Sequence, residues 1–270
     1  MDQPNLIQRK PMKPYLIVKI GGVVATDTQL LQKLLTDLGQ ATTYACVLVH
    51  GGGKEVTALS ERLGYQAEFR SGLRITSPGE MEVVDMVLGG KVNISLVRMA
   101  AQLGLKAVGL GGQDGKLFSA KALAVDGAPD CRTGQILACD TSLIKLLCSE
   151  GYLPIIHSTC MAADGKGLNV NADEAAQALA VALEAGVLLY VSDIRGVLKN
   201  GQVIARLDEE ALENEIDAGV ISGGMIPKVR NASEAVSEGC GRVIIGGYQN
   251  TGDLSRLLAG ESGTTIHDGV

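Results

Sequence analysis

Short, apolar, β-branched runs alternate with amphipathic segments along nearly the whole chain, and this alternation restricts the fold more than any other feature. YLIVKI (15–20), CVLVH (46–50) and the runs at 107–110, 153–157, 187–192 and 242–245 have the length and composition of buried strands. Helix-period segments follow at 28–38, 55–63, 80–103, 140–150, 173–184, 208–218, 225–238 and 252–258. The first of them shows the pattern, with apolar residues at Leu30, Leu31, Leu34, Leu35 and Leu38. Parallel strands need crossover helices, which cover both faces of a sheet. The expected class is therefore α/β, a three-layer α/β/α sandwich around a mostly parallel central sheet. Gly-rich polar stretches at 66–76, 113–139 and 159–168 fit hairpins decorating that sheet. There is no internal repeat and no long linker, so one domain over 1–270 is expected. A lobe boundary near 184–186 would divide about 15–185 from about 186–270.

The 35 glycines cluster in pairs and triplets after apolar runs, so they read as phosphate-approach loops rather than low complexity. A net charge of −6 argues against nonspecific nucleic-acid binding, which needs a basic face. A polyphosphate ligand would then find its cations local and few. The six cysteines form no CxxC pair and no zinc-spaced Cys/His cluster, and they sit mostly in apolar stretches. That usage fits a reduced, cytoplasmic chain with no metal centre. The polar first dozen residues lack an apolar core, so no secretory signal is expected. The one membrane suspect, 175–191, carries Gln177 and Glu184 and breaks at Gly186, which reads as a helix followed by a buried strand.

No GxxxxGK[ST] loop is present, and other features take its place. VKIGG (18–22) sets Lys19 at a strand end beside Gly21 and Gly22, where backbone N–H groups can approach phosphate; a lysine that merely snorkels to solvent is the alternative. HGGGK (50–54) puts Gly52 and Gly53 between a strand and a helix, an anion site or an ordinary tight turn. SGGMIPK (222–228) opens a helix with Pro227 in its first turn. Lys228 follows at once, where the helix dipole does not favour a cation, and a bound phosphate explains it better. In NVNAD (169–173), Asp173 either caps a helix or holds the two lysines. SDIRG (192–196) stands at the carboxyl end of a strand, where ligands of open α/β sheets bind.

Together these motifs resemble the amino-acid kinase family, and within it the members acting on N-acetyl-L-glutamate. The matching segments stand in family order: VKIGG (18–22), VLVHGGG (47–53), SGLRIT (71–76), MEVVDMVLGGKVN (81–93), AVGLGGQDG (107–115), GYLPII (151–156), LNVNADEAA (168–176), YVSDIRGVL (190–198) and GGMIPKV (223–229). Aspartokinases resemble KFGGTS where this chain has KIGGVV. Isopentenyl phosphate kinases carry a histidine after the glycine run, and kinases of carrier-bound aminoadipate resemble NVDAD. The chain departs from the family pattern after Ile245, where the DGR-x-x-H pattern is missing and a closing GTTI is kept; Lys54 and Arg195 are unusual choices.

The resemblance implies an enzyme that uses ATP and Mg2+ to phosphorylate the side-chain carboxylate of N-acetyl-L-glutamate, the second step of arginine biosynthesis. It places Lys19 near the attacking side, Lys228 toward the ATP phosphates, and Asp173 between them. Gly52, Gly53, Arg74 and Asn169 are implied for the acyl amino acid. Gly21, Gly22, Asp193, Val220, Ile221 and Ser222 are implied for ATP. The first lobe would bind the acyl amino acid and the second ATP. A relative acting on an aminoadipate derivative, a free amino acid or carbamate is the rival enzyme, and a non-catalytic metabolite sensor the rival from another class. The expected assembly is a homodimer built on the 79–103 helix through Met81, Val84, Val87 and Leu88. Arginine insensitivity is also expected, because Pro4, Pro11 and Pro14 interrupt the segment where arginine-inhibited relatives carry an extra helix.

Overall fold

A computed structural model describes residues 13–22, 24–70 and 72–269, so the expectation about a helix before residue 13 lies outside the described residues. The chain begins β1 (Tyr15–Ile20), α1 (Thr28–Gln40), β2 (Ala45–His50), α2 (Gly53–Arg62), β3 (Glu68–Arg70), β4 (Leu73–Ile75) and α3 (Pro78–Asp85). A π-helical segment, Met86–Asn93, joins α3 to α4 (Ile94–Gln102). Then come β5 (Ala107–Gly111), β6 (Phe118–Ala122), β7 (Gly134–Cys139), α5 (Ser142–Ser149), β8 (Leu153–His157), β9 (Thr159–Met161), β10 (Gly167–Asn169) and α6 (Ala172–Ala182). The last part holds β11 (Val187–Ser192), β12 (Leu198–Lys199), β13 (Gln202–Val203), β14 (Arg206–Leu207), α7 (Glu209–Asp217), α8 (Met225–Ser237), β15 (Val243–Gly247), α9 (Asp253–Leu258) and β16 (Thr264–Ile266).

The main sheet has eight strands in the order β14-β16-β15-β11-β1-β2-β8-β5. All its pairings are parallel except β15 with β16. The six strands read from apolar runs are all in it. It is continuous across residues 184–186, since β11 pairs directly with β1. Alternation along β1 divides the core: Tyr15 and Ile17 pack with residues of α5, α6 and α8, while Leu16, Val18 and Ile20 pack with residues of α1, α4 and α9. Burial on both faces is why β1 is apolar throughout except at Lys19.

The polar stretches hold the antiparallel hairpins β3–β4, β6–β7 and β9–β10, and the last two join into a second, four-stranded sheet. Two expectations need correction. The 80–103 helix is not α-helical throughout, owing to the π-helical stretch at its centre. Met81, Val84, Val87 and Leu88 cannot form a dimer face, because all four are buried within the chain against Val56 of α2. On the same segment the exposed large apolar side chains are Met86, Ile94 and Leu103. The stretch 175–191 is the end of α6 followed by buried β11, and no helix among the described residues is long and apolar enough to cross a membrane.

Candidate active site

The carboxyl ends of β1, β2, β8 and β11 share one edge of the sheet, and the glycine turns after β1 and β2 open there. Period-two alternation sends the Lys19 side chain to the face of Tyr15 and Ile17, the face that α6 covers. At the start of α6, Asn171 rather than Asp173 is the N-cap, its Oδ1 accepting the Asp173 N–H at 2.8 Å. The Asp173 carboxylate is thereby left free for Lys19, and Oδ1 lies 2.6 Å from Nζ. Register pairs Lys19 with Tyr190 of β11, whose hydroxyl donates to the Asp173 carbonyl at 3.4 Å. Over the Tyr190 ring, 5.4 Å from its centroid, sits Nζ of Lys228, reaching in from α8. Burial pushes the Lys228 pKa down; Asp173 and Asp193 oppose that shift and Lys19 adds to it. Lys19 is thus paired with Asp173, and Lys228 lies within electrostatic reach of the same carboxylate.

Two of the turn glycines leave room for a neighbouring side chain, and a third takes a left-handed backbone. A Cβ on Gly21 would lie 2.6 Å from the Lys19 amine, which folds across the turn, and Gly22 has φ +59°. A Cβ on Gly52 would lie 2.7 Å from Leu88 Cδ2, so the second turn is pressed against the π-helical segment. Between the two turns opens a cavity of about 340 Å3, lined by Lys19, Gly21, Gly22, Gly52, Gly53, Arg74 and Asn169 among others.

Arg74 is not an exposed ion pair on its hairpin; it is only 8% exposed. Its Nη2 donates to the Thr57 hydroxyl and to the Gly53 carbonyl at 3.4 Å, and its guanidinium lies 4.8 Å from the Phe69 ring centroid. Among the described residues, buried Nη1 has no hydrogen-bond acceptor, and Glu80 stays 3.8 Å away. Arg74 is among the residues that line the cavity, where a guanidinium fork suits a ligand carboxylate. Asn169, another lining residue, is steadied by its Nδ2 donating to the Thr76 hydroxyl at 3.0 Å.

Sequence reasoning missed Thr26, Phe69, Thr133, Ser158 and Asn171, which also line the cavity. Ser158 was within reach, since it follows β8 at the ligand-facing edge. The residues assigned to ATP divide. Asp193 lines a second cavity of about 440 Å3 with Ser192, Arg195 and Tyr248, and it lies close to Gly22. Val220, Ile221 and Ser222 line neither cavity; the Ile221 side chain is core, and the segment forms the turn that launches α8 and Lys228.

This fold and this pair of glycine turns define a class: the chain belongs to the amino acid kinase family, whose sequence model matches residues 14–247. Within that class it is 37% identical over 236 residues to an acetylglutamate kinase of Syntrophomonas wolfei, covering 85% of this chain and 82% of the relative. An acetylglutamate kinase of Chloroflexus aurantiacus is 40% identical over 230 residues, covering 85% and 90%. The solved structure of smu.665 from Streptococcus mutans UA159 superposes with a TM-score of 0.77 at 30% identity, covering 95% of this chain and all of that one.

Proposed function

We propose that this chain transfers the γ-phosphoryl group of ATP to the side-chain carboxylate of N-acetyl-L-glutamate, giving the acyl phosphate and ADP as a step of arginine biosynthesis. The observation that carries the reading is the Lys19–Asp173 ion pair, with Lys228 within electrostatic reach of the same carboxylate, beside two glycine turns. The relatives' names supply the acceptor, and the Arg74 guanidinium that lines the same cavity suits its α-carboxylate.

A carboxylate is ionised at neutral pH, so its oxygen attacks phosphorus without a general base. The new P–O bond forms as the bond to the β-phosphate oxygen breaks, and ADP leaves with the electron pair. Catalysis reduces to in-line positioning and to neutralising charge on the phosphoryl oxygens. Lys19 meets the attacking side and Lys228 the leaving side, with Asp173 holding both. N–H groups of the glycine turns at Gly21, Gly22, Gly52 and Gly53 donate to the phosphoryl oxygens. Asp193 borders the nucleotide together with the backbone of the turn at Val220, Ile221 and Ser222, and residues 15–185 and 186–270 act as the acyl-amino-acid and ATP lobes. Mg2+ would enter on the β- and γ-phosphates and neutralise them. Asp173 is already committed to Lys19, a donor set that fits a cation held chiefly by phosphate and water. The enzyme acts in the cytoplasm, where its six free cysteines stay reduced. It acts as a homodimer; exposed Met86 and Ile94 support an apolar contact on the 79–103 helix.

The test is a hydroxylamine trap for acyl phosphate with ATP, Mg2+ and N-acetyl-L-glutamate. A trapped product, with free glutamate much poorer, is expected. Equal rates on both acceptors would overturn the specificity, and ATP binding without product on any carboxylate acceptor would favour a sensor.

A further inference from the structure

Directly beneath the second glycine turn lies a buried polar chain that the phosphoryl chemistry leaves unused. His50, the last residue of β2, is fully buried, and Asn93, the last residue of the π-helical segment, is 4% exposed. Asn93 Nδ2 stands 2.8 Å from the Ile155 carbonyl oxygen and 3.0 Å from His50 Nε2. His50 Nδ1 stands 2.8 Å from the Gly51 carbonyl oxygen. Both carbonyls can only accept, which leaves one arrangement of protons that satisfies every contact. The Asn93 amide donates to Ile155 and to His50 Nε2, and His50 carries its proton on Nδ1 and donates it to Gly51.

The π-helical segment also touches the turn directly, since Leu88 and Val92 border the position a Gly52 side chain would take. One irregular stretch of helix therefore supports Gly52 by packing and Gly51 through hydrogen bonds. Single-turn departures of this kind often mark functional sites. Here the departure sets the phase that brings Asn93 under β2 and β8.

Such support has a chemical purpose. Three successive glycines have the freest backbone a chain can have, and a free turn offers no preorganised donors. Across a trans peptide the carbonyl of one residue and the N–H of the next point in opposite directions. Holding the Gly51 carbonyl down on His50 turns the Gly52 N–H the other way, toward the cavity that Gly51, Gly52 and Gly53 line. We infer that His50 and Asn93 are positioning residues that lock this turn so that its N–H groups meet the transferring phosphoryl group. Burial keeps His50 neutral at working pH, its pKa pushed down to about 4, so the arrangement persists there.

The inference rests on the reading that phosphoryl transfer occurs in this cavity, and the test separates the two. The full-length protein is compared with His50→Leu, His50→Asn and Asn93→Asp. An asparagine at position 50 can keep a donor near Nδ1; leucine cannot. His50→Leu should lower kcat on the order of tenfold to a hundredfold, the loss seen when a preorganised donor is released. Its affinity for ADP, which lacks the transferred group, should stay within about twofold of the parent. His50→Asn should recover most of the rate.

With only three histidines, nitrogen NMR assigns the proton directly. It should report Nδ1–H in the parent and Nε2–H in Asn93→Asp, where the carboxylate demands a donor. If His50→Leu does not fold, Asn93→Asp decides, through the same tautomer shift with a matching loss of kcat. A parent ring protonated on Nε2, a His50→Leu kcat within about twofold of the parent, or ADP binding and thermal midpoint falling together with activity would each overturn the inference. If the parent makes no acyl phosphate, the functional reading fails by itself. The tautomer, and the Gly51 to Gly53 amide shifts in the variants, still decide the positioning.

Discussion

Replacing Asp173 by asparagine keeps the shape of the side chain and removes the one carboxylate between two lysines. At a separation of 2.6 Å, and with an effective dielectric near 20, the gross Lys19–Asp173 attraction is about 6 kcal/mol. The two side chains are 14% and 31% exposed, so solvent screening removes roughly half of that. The remaining ~3 kcal/mol is what keeps Lys19 aimed, and its loss corresponds to a fall in kcat of about a hundredfold. A second signature comes from Lys228. Burial lowers its pKa and Asp173 opposes that shift, so with asparagine the pKa falls further. Lys228 must be charged to act, so rate is lost as pH rises through its pKa, and the alkaline limb of kcat/KM should move to lower pH. Steady-state kinetics across the pH range, parent against Asp173→Asn, checks both. A kcat within about threefold of the parent, or an alkaline limb that stays in place, would refute the assignment of Asp173 as the hub.

Lys19→Ala and Lys228→Ala should each reduce kcat on the order of a hundredfold, measured by ADP release; a kcat within about twofold of the parent would remove that lysine from the mechanism. Arg74→Lys should raise the KM for N-acetyl-L-glutamate by about tenfold with kcat little changed, because a point charge replaces a fork. An unchanged KM would move carboxylate recognition elsewhere. His50 gives a stability test. Its folded pKa of about 4 lies below the ordinary 6.5, so between these values the unfolded chain binds a proton that the folded chain does not. Stability should therefore be lost as pH falls from 6.5 toward 4, by up to about 3 kcal/mol from this residue. Urea unfolding across that window should show a shallower fall in His50→Asn, and equal slopes would show that the imidazole does not titrate there.

Much of the site was legible because its parts are local. A strand end, a glycine run and a helix start are consecutive residues, so Lys19 with Gly21 and Gly22, and His50 with Gly51 to Gly53, announce themselves as strand–turn–helix units. Arg74 was legible as a residue type, but its burial was not, because it depends on how the β3–β4 hairpin folds down onto α2. The helix-period reading at 80–103 located a helix correctly and misjudged its faces. Met81, Val84, Val87 and Leu88 looked available to a second copy, yet α2 covers them from more than twenty residues earlier in the chain. The strands at 198–203 and 206–207 were missed, since two-residue strands carry no periodicity to read.

By itself, then, the sequence determined the layered α/β plan, the mostly parallel pairing of the apolar strands and the glycine turns at their ends. Those features follow from side-chain periodicity and from backbone freedom at single residues, both written within a few positions of one another. Only the tertiary structure decided that Asn171 caps α6 and frees Asp173 for Lys19, that Lys228 sits over Tyr190 within electrostatic reach of the same aspartate, and that Asn93 stands under His50. Apart from the local cap, each of those joins residues on different elements, and their distances depend on strand register and helix phase. A π-helical turn at 86–93 changes that phase without any marker in apolar spacing that would announce it.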